Sequence, residues 1–251
     1  MASSTRRLRR LLTTACAVLG IAGAASAAEP ALPPEAAAGF AGEIDLLVPD
    51  TPCTEIEVET GPGGTLRLSG HVGLEVDRET LVEAASAMVG EPVDGRGIDV
   101  LGVDFCRMLQ VLAPYADEGE TLGLEVAGHG SPAELRDGDP LTLELSVPQD
   151  LDYLYLAYLQ QDGRVGHLGL LPVKDWAGGG RVRVETGFEI APPFGREMVI
   201  AVATARPLFA KARPAFERIE SFAPALRYGL ARATAEGDPA AVDHVWLFTR
   251  P

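Results

Sequence analysis

This sequence is short of basic charge. Its 251 residues carry 21 Lys and Arg against 36 Asp and Glu, a formal net charge of −15. Nucleic acid and anionic lipid headgroups need a basic patch, so both are poor partners for such a chain. Cationic partners, or surfaces bridged by divalent ions, stay open. Histidine is scarce as well. His71, His129, His167 and His244 include no pair at i,i+3 or i,i+4 and none beside a cysteine, so the usual zinc spacings are missing. We read each as a solvated or strand-face histidine, and expect no metal and no cofactor. Catalytic patterns are also wanting. Gly128-His129-Gly130-Ser131 sets a hydroxyl close to an imidazole, but it lacks the nucleophile-elbow pattern and precedes Pro132. The acidic pairs Asp137/Asp139 and Asp150/Asp152 lack the glycine and distal Glu of a calcium loop, and read as turn residues. The triple glycine 178–180 lacks the lysine and helix of a phosphate-binding loop. No residue is therefore assigned a catalytic role, and a non-enzymatic chain is expected.

Long apolar runs are confined to the N-terminus. Arg6, Arg7, Arg9 and Arg10 precede an apolar stretch from Leu11 to Gly23, and Ala25-Ser26-Ala27 follows as a small-x-small site. This is the pattern of a secretory signal peptide over residues 1–27, cleaved between Ala27 and Ala28. Arg9 and Arg10 stand where a twin-arginine signal wants apolar residues, which favours general secretion. The run before Cys16 is too short, with Thr13 at a position that wants leucine, for a lipoprotein signal. The expected mature chain is periplasmic or secreted, more acidic than the whole sequence, and without stable membrane insertion. Two cysteines then remain, Cys53 and Cys106. An even pair in an exported chain reads as a disulfide, closing a loop of about 54 residues, in preference to a reactive thiol or metal pair.

What is present divides the mature chain in two. Residues 28–48 are rich in Ala, Pro and Glu, a linker by composition. Residues 49–116 read as a small α/β domain. Thr54–Thr60 and Thr65–Val72 form a hairpin across Gly61-Pro62-Gly63-Gly64. A helix follows, with Asp77 as N-cap and Gly90 at its end. Ile98–Val103 is a third strand, and Phe105, Met108, Leu109 and Leu112 mark a short helix stopped by Pro114. Residues 119–251 read as consecutive strands at Thr121–Val126, Leu141–Val147, Tyr153–Gln160, Val165–Leu171, Val182–Thr186 and Met198–Ala205, a rhythm expected of an antiparallel β-sandwich. Asp162-Gly163 supplies the tightest hairpin. Tyr153–Leu159 is apolar on both faces and should be a covered central strand. Tyr153 and Tyr155 share one face and Tyr158 takes the other, favouring core packing over an aromatic ligand platform. The tail reads as a helix opened by Pro214, a second capped by Ser221, and a last strand at Val242–Thr249. The fold class is α+β.

Two resemblances accompany this reading. Leu66-Arg67-Leu68-Ser69-Gly70-His71-Val72 sits in a strand–strand–helix–strand rhythm over about 56–100 that resembles BON-type modules of the bacterial envelope. Further on come Gly138-Asp139, Tyr153-Leu154-Tyr155, Asp162-Gly163, Pro192-Pro193-Phe194-Gly195-Arg196-Glu197 and Arg206-Pro207-Leu208-Phe209. These residues, within about 135–249, resemble a bacterial family known only as a domain of unknown function. Its members often lie C-terminal to caspase-like proteases or serine/threonine kinases, and also occur in exported proteins. The resemblance implies an immunoglobulin-like β-sandwich and an accessory or recognition role, with another cell-envelope protein as the partner. Phe194 and Arg196 fall on a Pro-rich loop between strands, where a sandwich usually presents binding residues, and are the candidate binding loop. Two other classes remain as alternatives: a periplasmic hydrolase or glycan-acting enzyme using carboxylates, and a structural adaptor of a secretion or surface assembly.

Overall fold

The computed structural model describes residues 43–44, 47, 53–60, 65–116, 121–173, 180–235 and 237–251. The expected leader with Cys16 and the Ala27–Ala28 bond, nearly all of the 28–48 segment, the expected turn at 61–64 and two of the glycines 178–180 lie outside these residues. The protein is a mixed α+β structure, mostly β, with three described helices and a disulfide joining Cys53 to Cys106 across 5.0 Å between Cα atoms.

The first unit pairs β1 (Glu55–Thr60) with β2 (Leu66–Val72) antiparallel, then crosses through α1 (Glu75–Val89) to β3 (Asp94–Val100), parallel to β2. Alternation along β2 buries Leu66, Leu68 and Val72, which close against Leu81 and Ala85 of α1 and Ile98 of β3. Ile44, from the end of the expected linker, is fully buried in the same cluster, with Leu47 packed against it. Asp77 does cap α1, but not as N-cap: α1 begins two residues earlier, and the Leu74 N–H donates back to Asp77 Oδ2 at 3.0 Å.

The larger unit is built on a six-stranded sheet in the order β11-β8-β7-β10-β12-β5. Its strands are β5 (Ala133–Arg136), β7 (Tyr153–Leu159), β8 (Arg164–Pro172), β10 (Arg196–Thr204), β11 (Phe216–Arg218) and β12 (Ala240–Arg250). As its two-sided apolar pattern requires, β7 is central, with Leu154–Leu159 all buried. One face carries Tyr155, Ala157, Met198, Ile200 and Val202, and is covered by α2 (Val103–Ala116) and α3 (Ile219–Thr234). The other face carries Leu154, Leu156, Tyr158, Val199 and Ala201. It packs on a three-stranded sheet of β4 (Glu125–Val126), β6 (Pro140–Ser146) and β9 (Arg181–Glu189), in the order β4-β6-β9.

Several expectations change at this level. Helix α2 lies on the large sheet, through Phe105, Met108 and Leu112, rather than on the small module that precedes it. Pro114 does not stop it. Proline there forfeits one bond, to the carbonyl of exposed Gln110, and the helix runs on to Ala116. The two expected tail helices are one: Ser221 lies inside α3, which runs through Pro224, and Phe216 belongs to edge strand β11. Strand β12 pairs parallel with β5, so the large sheet is not wholly antiparallel. Among the described residues, no helix is long and apolar enough to cross a membrane.

Candidate functional site

The β7–β8 turn is the local feature on which the site depends. Asp162 accepts the Arg164 N–H at 3.0 Å, and Gly163 takes φ +77°, where its missing Cβ leaves room for the Asp104 carboxylate and Arg218. The turn fixes the register that sets His167 across from Ala157, two positions on from Tyr155 along the ladder. Chain from Phe209 to Ala215 then runs along the outer side of β8 into β11. Between them lies a groove of about 330 Å³, lined by Tyr155, His167, Gly169, Leu170, Phe209 and Lys211, among others.

Four side chains from four segments form a continuous polar chain beneath this groove. The Tyr155 hydroxyl meets His167 Nδ1, and His167 Nε2 lies 2.9 Å from Glu217 Oε1. Glu217 is held by the forked Arg213 guanidinium, whose Nε donates to it at 2.8 Å. The His167 and Glu217 side chains are only 6% and 10% exposed. An ionised Glu217 only accepts, so Nε2 carries the imidazole hydrogen and Nδ1 accepts from Tyr155. The Nε2 contact is close but off the line of a directed hydrogen bond, so it acts chiefly through charge. Burial lowers the His167 pKa against the opposing pull of Glu217, and burial raises the Tyr155 hydroxyl well above its ordinary value. Both shifts favour the neutral forms, and the Arg213 guanidinium faces the Glu217 carboxylate. The guanidinium also lies 5.3 Å above the Phe209 ring, fixing the wall of the groove.

What the groove presents outward is different. Leu170 is 41% exposed. Strand β11 covers β8 only at Arg164–Gly166, and Ala215 accepts the His167 N–H at 3.0 Å. Beyond that point, Leu168–Pro172 has no strand on its outer side among the described residues. Lys211 is exposed at the rim and enters no ion pair among the described residues. A larger cavity of about 820 Å³ lies between Tyr115, Pro148–Leu151 and Asp238–Ala241, but Asp238 there is committed to Arg206, whose Nε donates to it at 2.6 Å.

The residues singled out from sequence are dispersed. Tyr155 and Phe209 belong to the groove. Leu208 is buried and, with Pro207, offers its carbonyl to Arg232 of α3. Tyr153 begins β7, and Asp162 and Gly163 form the turn. Pro193, joined to Pro192 by a cis peptide, leads to Phe194, which is half-buried against the sheet-to-sheet core. Gly195 is clamped to Thr249, donating to its Oγ1 at 3.0 Å and accepting its N–H at 2.8 Å. Arg196 turns toward the small module. It reaches Asp99 at 2.7 Å, donates to the Val100 carbonyl at 3.0 Å and lies over Phe248. Glu197 is fully buried and accepts the Tyr158 hydroxyl. The disulfide packs in the cluster of α2 and the large sheet. Among the described residues no three His, Cys, Asp or Glu side chains gather at metal-binding distance. His167, Arg213 and Glu217 were missed as a group. The one legible trace is Arg213 and Glu217 at i,i+4, which reads as a surface helical pair until β11 brings them beside β8.

Comparison with protein-family models, curated proteins and solved structures finds no match.

Proposed function

We propose that the chain is an exported, non-enzymatic recognition module that holds an extended, acidic segment of another cell-envelope protein in the groove beside β8. The observation that carries this reading is the closure of the polar chain beneath the groove. Tyr155, His167, Glu217 and Arg213 are engaged with one another by hydrogen bonds and, between His167 and Glu217, by close charge contact, so an incoming group meets apolar wall, open strand edge and one cation. An added strand would find backbone partners along Leu168–Pro172, an apolar contact at Leu170 and Phe209, and charge complementarity at Lys211. The site then discriminates by shape and charge, and the buried chain holds its walls in place. In this reading the two facing sheets form an immunoglobulin-like β-sandwich of the family resembled over 135–249, and the BON-like module is a tied accessory. The leader and the disulfide fit an oxidising, extracytoplasmic setting.

A photo-crosslinking residue at position 170 of the mature protein tests this in extract from its own envelope. One stoichiometric adduct is expected, reduced at least tenfold when Lys211→Glu is added. The same label at exposed Val103 should give none. Equal capture from both positions, or capture indifferent to Lys211→Glu, would contradict the assignment.

A further inference from the structure

A second buried polar site lies on the opposite face of the same sheet. Glu197 is fully buried at the start of β10. Its Oε2 accepts the Tyr158 hydroxyl, whereas its Oε1 has no hydrogen-bond partner. The Gln160 side chain, 3% exposed, leaves its own Oε1 equally unmet. Leu159 pairs with Met198 in the ladder, so the next step sets Gln160 abreast of Glu197, on the face that Tyr158 also occupies. Two buried acceptors with no donor are costly, and a single hydrogen between them removes both deficits.

We infer that Glu197 is carried as the neutral acid, donating its Oε1 hydrogen to the Gln160 amide oxygen, and that this proton latches the β7–β10 end of the sheet.

The surroundings favour the uncharged form. Burial is the largest influence and pushes Glu197 up to about 7, with the Asp162 charge adding to it. The Tyr158 hydroxyl, which donates to Oε2, pulls the other way, with smaller influences from nearby Thr249 of β12 and the Gln161 N–H. From β9, the Phe188 ring packs tilted against Tyr158, with centroids 5.0 Å apart. No cation among the described residues offsets the charge: adjacent Arg196 is turned to Asp99 and Val100. The latch also reaches the far face. Asp162 accepts from Arg218, and Gly163 accepts the Ile219 N–H at 2.9 Å. Those bonds anchor the end of β11, the strand that holds Glu217 beneath the groove. Release of the proton to solvent at neutral to alkaline pH therefore loosens the support of that strand.

Urea unfolding of wild type and Glu197→Gln from pH 5 to pH 8 tests the inference. Glutamine supplies a permanent donor in place of the acid hydrogen. The ratio of unfolding constants, wild type over variant, should rise on the order of 100-fold across that range. The infrared spectrum of wild type should hold a buried protonated-carboxyl band at pH 5 that fades as pH passes 7 and is missing from the variant. A flat ratio overturns the inference, as does absence of the band at pH 5. Glu197 would then be an ionised carboxylate with the Gln160 amide group turned toward it. Should the variant not fold, the wild-type infrared titration decides alone.

Discussion

Tyr155 and Tyr158 stand three positions apart on one strand, and each hydroxyl serves a different face of the sheet. Tyr155 closes the chain through His167 to Glu217, and Tyr158 meets Glu197. Tyr155→Phe should leave His167 Nδ1 buried without a donor. We expect a loss of about 1–2 kcal/mol in urea unfolding, with Leu170 and Phe209 less firmly held. Gly195 is more stringent. Its φ of +149° is one that side-chain-bearing residues rarely adopt, and a Cβ there would run into the Gln161 amide. Gly195→Ala should cost roughly 2–3 kcal/mol, while Gly130→Ala, with open space around it, should change little by the same measurement. Alternation along β7 let the sequence assign the tyrosines to opposite faces. It could not supply their partners, because His167 and Glu197 are set by cross-strand register, and register depends on a turn and a bulge at Leu156/Ala157.

At the level of elements, long periodic segments were legible and short or dependent ones were not. Strands β7, β8 and β10, the hairpin at Asp162-Gly163 and the apolar stripe of α2 all follow from local pattern. Strand β5 has four residues and β11 three, too few for a period to show, and each exists only because a longer strand offers an edge. Pro214 and Ser221 misled for the same reason: their local preferences are real, but α3 is fixed by Phe222, Leu226 and Leu230 against the sheet. Phe222 is fully buried and close to Tyr155, His167 and Phe209. Phe222→Ala should therefore cost about 3–5 kcal/mol and disturb the groove from beneath. Chemical denaturation with near-ultraviolet circular dichroism reads both effects. The groove itself was illegible in sequence, since its walls come from β7, β8, the 209–215 segment and β11.

On the scale of the whole molecule, a disulfide and an arginine are among the links that join the small unit to the large one. The disulfide connects Cys53 to Cys106 across 53 positions, and Arg196 bridges to Asp99 and Val100. Reduction of the bridge should lower stability by roughly 4 kcal/mol, the chain-entropy value for such a loop, measurable as a shift in urea midpoint. The cysteine pairing was accessible from composition and the expected export signal together. The placement of α2 was not, because its apolar face suits either unit. Acid should act on the boundary between them. His71 of β2 and His244 of β12 both have pKa values lowered by burial, so the native state prefers them neutral. Their contribution is intact above the unfolded value of about 6.5 and declines as pH falls below it. Glu197 acts in the opposite sense, its contribution being lost as pH rises toward 7, so Glu197→Gln should unmask the histidine slope. The groove beside β8 remains the central claim, and hydrogen exchange tests it most directly. The mature chain would be measured free and saturated with the synthetic form of the segment crosslinked at position 170. Protection confined to about 166–172 and 209–215 is the expected result; unchanged exchange there, with protection elsewhere, would contradict the account.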